Sequence, residues 1–170
     1  MTNAETEIRD NLPGLYPRLW RFALVLAGTR DAADDLAQTT AARAIEKAQL
    51  YTPGTRLDSW LFTMARRIWL NELRSQAVRR GQGLTAVEEI DLPDPSPGQE
   101  VNRMASEVLA VVNTLPEAQR EAVLLVYVEE YTCAEAAKML DVPTGTILSR
   151  LSTARRKVNG ALAPKESAAE

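Results

Sequence analysis

Seven polar side chains late in the chain share one side of a helical projection: Thr146, Ser149, Arg150, Ser152, Thr153, Arg156 and Lys157. Hydroxyls and guanidinium forks hydrogen-bond base edges and phosphates, so the chemistry open to this set is recognition of a nucleic acid. At ~100° per residue, Ile147, Leu151, Ala154 and Val158 form a narrow apolar stripe on the other side, suited to docking on a supporting helix. That support is expected just upstream. Thr132 followed by Glu135 is a capping-box start for a short helix ending near Leu140. Pro143 then interrupts the pattern, and Thr144 can cap the second helix. The pair reads as a helix-turn-helix whose second member enters a major groove.

A second constellation lies in Trp60–Arg74. Leu61, Met64, Ala65 and Ile68 cluster on one face, Thr63, Arg66, Arg67, Asn71 and Arg74 lie broadly opposite, and Trp60 sits at the edge. Two readings stand. A basic face interleaved with aromatic rings holds single-stranded nucleic acid, cations on phosphates and rings on bases. Equally, aromatic residues on a helix are core and arginines are solvated surface, which is the commoner arrangement.

The charge is distributed in blocks. Lys+Arg 20 against Asp+Glu 23 leaves a net charge of −3 over 170 residues, which by itself argues mildly against a polyanionic partner. Residues 144–159, however, carry Arg150, Arg155, Arg156 and Lys157 and no acid. Residues 56–80 carry six arginines against Asp58 and Glu72. Between them, residues 85–107 hold six acids against Arg103. Two basic islands separated by an acidic strip imply two contact surfaces on a polyanion and a linker that avoids it.

Composition excludes other chemistry. With no histidine, the commonest general base and metal ligand is missing. Cys133 is the only cysteine, so there is no disulfide framework or cysteine zinc cluster, and it reads as an ordinary packing thiol. No metal or cofactor is expected, and an enzyme is the least favoured class. No apolar run reaches the ~20 residues of a membrane span, and the N-terminus lacks the features of a secretion signal. A reducing bacterial cytoplasm is the expected setting, without membrane insertion.

The elements that must position these residues are all helical. Leu12, Leu15, Leu19, Phe22, Ala23 and Leu26 recur at helical spacing until Gly28. A second helix is expected from Asp31 to about Leu50, and Thr52–Thr55 reads as a turn. A third, capped by Asp58 or Ser59, should run through Arg80. Residues 91–98 hold three prolines and two acids, which suits a linker. Beyond it come a helix from Val101 to about Asn113, one opened by Pro116-Glu117 and ending near Glu129, and the helix-turn-helix. The expected fold is all-α: a first helical domain over 1–82, a Pro-rich acidic linker over 83–100, a second helical domain over 101–160 ending in the helix-turn-helix, and a tail over 161–170. Trp20 and Trp69 are expected in packing positions, and Arg120 and Glu121 as an exposed surface pair.

Three stretches resemble a known family. Asp34-Asp-Leu-Ala-Gln-Thr-Thr-Ala-Ala-Arg-Ala44, Ser59 to Arg74, and Leu115 to Tyr127 followed by Val142 to Arg156 resemble, in this order, segments of bacterial extracytoplasmic-function (ECF) sigma factors, the short class built from two sigma domains. The resemblance implies that Asp35, Leu36, Gln38 and Arg43 dock on the clamp helices of bacterial core RNA polymerase. It implies that Trp60, Thr63, Arg66, Arg67, Asn71 and Arg74, with the turn Thr52–Asp58, bind and melt the −10 element of promoter DNA. Thr144, Thr146, Ser149, Arg150, Ser152, Thr153, Arg156 and Lys157 would then read the −35 element. An anti-sigma factor covering both domains is the implied control. Thr39 and Ala41 depart from the family's usual Glu and bulky aromatic, and Arg67 and Asn71 from its usual Asn and Asp, so both contacts are expected to differ in detail. The alternatives are a stand-alone helix-turn-helix regulator and a sigma-like decoy that binds an anti-sigma factor.

Overall fold

Thr2 and Glu5 close a reciprocal capping box: the Thr2 hydroxyl accepts from the Glu5 N–H at 3.3 Å, and the Glu5 carboxylate accepts from the Thr2 N–H at 2.8 Å. They start α1, Asn3–Ala27, in the computed structural model, which describes residues 2–81 and 110–162. Pro13 and Pro17 lie inside this helix and each removes a backbone donor. Burial of Ile8, Leu12, Leu19, Phe22 and Leu26 offsets that loss. Gly28, at φ 78°, ends the helix in the left-handed conformation that costs glycine least.

Thr29 caps α2, Arg30–Glu46. Its buried face is mostly alanine (Ala33, Ala37, Ala44), which lets α1 and α2 approach closely. The expected continuous helix to Leu50 instead ends at Glu46 and is followed by a 3₁₀ turn, Ala48–Leu50, a common tightening at helix ends. The third helix, α3, runs Leu57–Arg80 and stops at the left-handed Gly81. Its Phe62 ring stacks on Phe22 with centroids 4.9 Å apart, at the centre of this three-helix core.

The chain divides into two compact units, Met1–Asp91 and Leu92–Glu170. The expected linker over 83–100 and the start of the helix expected from Val101 lie outside the described residues. In the second unit, residues 110–113 are helical. After Pro116, α4 runs Glu117–Val123 and passes into a π-helical turn, Leu124–Val128, where a single helix to Glu129 was expected. The capping box at Thr132 is present and opens α5, Cys133–Leu140. Asp141 closes it in the left-handed region at φ 54°, which aspartate tolerates better than most residues. The last helix, α6, spans Thr144–Leu162; the Pro143 carbonyl, rather than the Thr144 side chain, accepts from the Thr146 N–H at 2.9 Å. Ile147, Leu151 and Ala154 are buried as the stripe requires, and Leu115, Leu125 and Leu140 complete the core. All the regular elements among the described residues are helical, and none of these helices is long and apolar enough to cross a membrane.

Arg120 and Glu121 correct the sequence reading. Expected as an exposed pair, they are buried at 6% and 4% exposure. Arg120 Nη1 donates to the Leu115 carbonyl at 2.6 Å and the Asn113 carbonyl at 3.4 Å. The last carbonyls of a helix have no partner inside it, and the guanidinium supplies one here. Burial lowers the Arg120 pKa from its ordinary value, while Glu117 and Glu121 oppose the shift. Truncating Arg120 leaves buried carbonyls unpaired. Arg120→Ala is expected to cost the second unit about 2 kcal/mol, with only partial recovery in Arg120→Lys, read by far-UV circular dichroism in urea.

Candidate nucleic-acid interface

Helix α3 buries Leu57, Leu61, Phe62 and Ala65, and this turns its arginine face outward. Arg67, Asn71 and Arg74 are exposed, and Arg74 Nη1 reaches Asn71 Oδ1 at 3.5 Å. Arg66 is half-buried. So is Thr63, whose hydroxyl donates back to the Ser59 carbonyl at 2.9 Å. Trp60 is half-buried, its ring tilted against that of Tyr51 with centroids 5.3 Å apart. One edge of the indole therefore has a fixed support, and the ring lies beside the turn that leads into the helix.

That turn is tied down by an ion cluster the sequence did not reveal. Helix α3 begins one residue before the expected cap, and Asp58 is buried inside its first turn. Asp58 Oδ2 accepts from Arg18 Nη2 at 2.9 Å and from Arg56 Nη2 at 3.0 Å. Its Oδ1 accepts from the Ser59 N–H at 2.9 Å. The Arg18 guanidinium also lies 5.8 Å from the centre of the Phe62 ring. One carboxylate thus links α1, the turn and the start of α3. An Arg, Arg, Asp set at positions 18, 56 and 58 has no spacing rule that would have announced it.

Helices α2 and α3 also enclose a groove of about 520 Å³. Asp35, Leu36, Thr39 and Arg43 line it from α2, and Ile68, Trp69, Asn71 and Glu72 are among its α3 residues. Three of the four residues expected to dock polymerase therefore meet here, whereas Gln38 is exposed and outside the lining. Asn71, assigned with the DNA set, stands at the rim shared by the groove and the arginine face. Trp69 is half-buried and faces this groove, with its enclosed indole N–H lacking a hydrogen-bond partner. Trp20 is half-buried and donates its indole N–H to Asp34 Oδ1 at 2.6 Å, a tie between α1 and α2.

In the second unit, α6 presents Ser149, Ser152 and Arg156 to solvent, with Thr153 half-buried and within 3.3 Å of Arg156 Nη2. On a helical projection these lie opposite the buried stripe, whereas Arg150, half-buried, sits about 120° round from Arg156. Thr144 and Lys157 are exposed and Thr146 is half-buried. Leu148, 53% exposed, is an apolar side chain on the open part of this helix that sequence reasoning passed over, although its place outside the Ile147–Leu151 stripe was a usable signal. The single thiol, Cys133, is half-buried. Among the described residues, no group of three His, Cys, Asp or Glu side chains could hold a metal.

Comparison with known proteins places these two faces in context. Residues 14–79 match the model of sigma-70 region 2, and residues 105–158 match that of sigma-70 region 4. The chain is 34% identical over 160 residues to the ECF RNA polymerase sigma factor EcfG of Rhodopseudomonas palustris, covering 91% of this chain and 84% of that protein. It is 30% identical over 153 residues to SigE of Mycolicibacterium smegmatis, covering 88% of this chain and 59% of that one. Among solved structures it resembles the sigma factor RpoE of Bartonella quintana, crystallised with the anti-sigma factor NepR, at TM-score 0.74 and 27% identity over 92% of this chain and 96% of that one. CnrH, solved in complex with the cytosolic domain of CnrY, shares the fold at TM-score 0.60 and 19% identity over 91% of this chain and 86% of that one.

The Asp58 cluster makes a testable statement about the first unit. Trp20, Trp60 and Trp69 all lie there, so tryptophan fluorescence reports its unfolding. Asp58→Ala removes the acceptor shared by Arg18 and Arg56 and is expected to lower stability by about 2 kcal/mol in a fluorescence-monitored urea titration. Tyrosine-dominated signals from the second unit should not move.

Proposed function

This chain belongs to the ECF family of RNA polymerase sigma factors, and on that premise we propose how its two units divide promoter recognition. The first, residues 1–82, docks core polymerase through the α2–α3 groove and melts the −10 element with the outer face of α3. The second, residues 101–160, reads the −35 element with α6. One observation carries this reading: the two family regions fall on separate units, and in each a helix buries one stripe and shows solvent a face of guanidinium and polar side chains.

The energetics support the division. Unstacking a base costs a few kcal/mol, which Trp60 and the neighbouring arginines would offset by stacking and phosphate contacts on the exposed strand. Each face alone is small, and a chain of net charge −3 is a poor free binder of DNA. Held by polymerase at fixed spacing, the second contact becomes intramolecular and gains in effective concentration. Such a subunit works in the cytoplasm beside polymerase. RpoE of Bartonella quintana is crystallised with an anti-sigma factor, and we extend that mode of control to this chain.

Run-off transcription on a fragmented genomic library, with sigma-free bacterial core polymerase and this chain, tests the reading directly. Discrete new transcripts whose starts share two upstream motifs are expected. Absence of any association with core would favour a stand-alone regulator or a decoy. Within α6, Ser149, Ser152, Thr153 and Arg156 face the bases and Arg150 takes a phosphate at the flank. Arg156→Ala is then expected to cost roughly 1–3 kcal/mol on the matched −35 sequence and little on a scrambled one. Arg150→Ala should weaken both equally and reduce the salt dependence of binding.

A further inference from the structure

The turn between α2 and α3 is clasped by a residue outside the matched region 2. Glu7, on α1, places Oε1 2.6 Å from the Tyr51 hydroxyl and Oε2 3.1 Å from the Gly54 N–H. The Tyr51 hydroxyl also lies 2.7 Å from the Thr55 carbonyl, and Thr55 folds back through its N–H and its hydroxyl onto the Thr52 carbonyl at 3.3 and 2.7 Å. Gly54 holds φ 79°, a left-handed value at which a side chain would be strained. A single carboxylate therefore bridges the buried start of the turn and its tip. The ring of Tyr51 is in turn the support against which Trp60 leans.

Glu7 and Arg18 stand eleven residues apart on α1, three turns of helix, and so lie on one side of it. Arg18 grips the end of the turn through Asp58 while Glu7 grips its beginning. Helix α1 thus serves as a rail to which both ends of the segment 51–58 are fixed. A loop fixed in this way has already lost the conformational entropy it would otherwise lose on meeting an exposed strand.

We infer that Glu7 is a positioning residue for promoter melting: it acts through Tyr51 and Gly54 to hold the 51–56 turn and the Trp60 ring in the arrangement that receives the exposed strand. The inference rests on the promoter reading above. Nothing in the geometry requires Glu7 to touch DNA, and its carboxylate is already engaged by two donors.

The test uses the full chain with core polymerase, and Glu7→Ala, Glu7→Gln and Tyr51→Phe. Two readouts are combined: open-complex formation on duplex and on pre-melted −10 templates, and hydrogen exchange at the Gly54 amide in the free chain. Glu7→Ala should speed Gly54 exchange and slow opening of the duplex template by about tenfold, with core association retained and a smaller defect on the pre-melted template. Tyr51→Phe should share the defect, and Glu7→Gln, which keeps an acceptor, should recover part of it. Unchanged exchange, or an unchanged opening rate, overturns the inference. So does a defect of equal size on both templates that tracks loss of folded protein by tryptophan fluorescence, since that is a stability role alone. An unsubstituted chain that opens no promoter overturns the underlying reading instead, and the control separates the two failures.

Discussion

A helix that keeps one side polar and open can be held in place only by the other. In α6 the holding side is a stripe of Ile147, Leu151 and Ala154, and in the first half of α3 it is Leu57, Leu61, Phe62 and Ala65. Both are narrow, because the positions opposite are given to hydroxyls, amides and guanidiniums. The remaining architecture follows from this constraint. Neighbouring helices must present complementary apolar faces at close range, and the small alanines of α2 and the tight turn at Asp141 bring them there.

Narrow cores leave orientation under-determined, and charged side chains with several hydrogen bonds supply it. Asp58 collects Arg18 and Arg56 at the start of α3, Arg120 collects two carbonyls ahead of α4, and Glu7 collects Tyr51 and Gly54 at the turn. Hydrophobic burial is non-directional, whereas a carboxylate or guanidinium with several short hydrogen bonds fixes angle as well as distance. Asp58 and Glu7 act where the turn before α3 meets α1, and Arg120 acts where α4 meets the residues that precede it. That placement fits a protein whose task depends on presenting side chains in a set geometry more than on raw stability.

The grouping of functional faces also has a physical logic. In the first unit the groove and the arginine face lie on adjacent sides of the same helix, with Asn71 at the shared rim. A partner seated in the groove would therefore stiffen the helix whose outer side carries the arginines. In the second unit α6 is packed on α4 and α5 by one stripe, so its polar side stays open along most of its length.

The sequence by itself determined the features that depend on local rules. Periodicity marked the stripes of α1 and α6, the Thr132–Glu135 box and Gly28 marked helix ends, and motif order marked the family. These are legible because a cap, a glycine or a 3.6-residue repeat acts within a few neighbours. Only the tertiary structure decided which polar residues are buried and with whom. Arg120 looked like a surface residue because its partners, the carbonyls of Asn113 and Leu115, are backbone atoms that carry no residue signature. Asp58 looked like a helix cap because its partner Arg18 lies forty residues away. Tyr51 gave no hint of Glu7 across a gap of forty-four. Long-range pairing of this kind is fixed by how the helices pack, and a single chain read in order has no term for it.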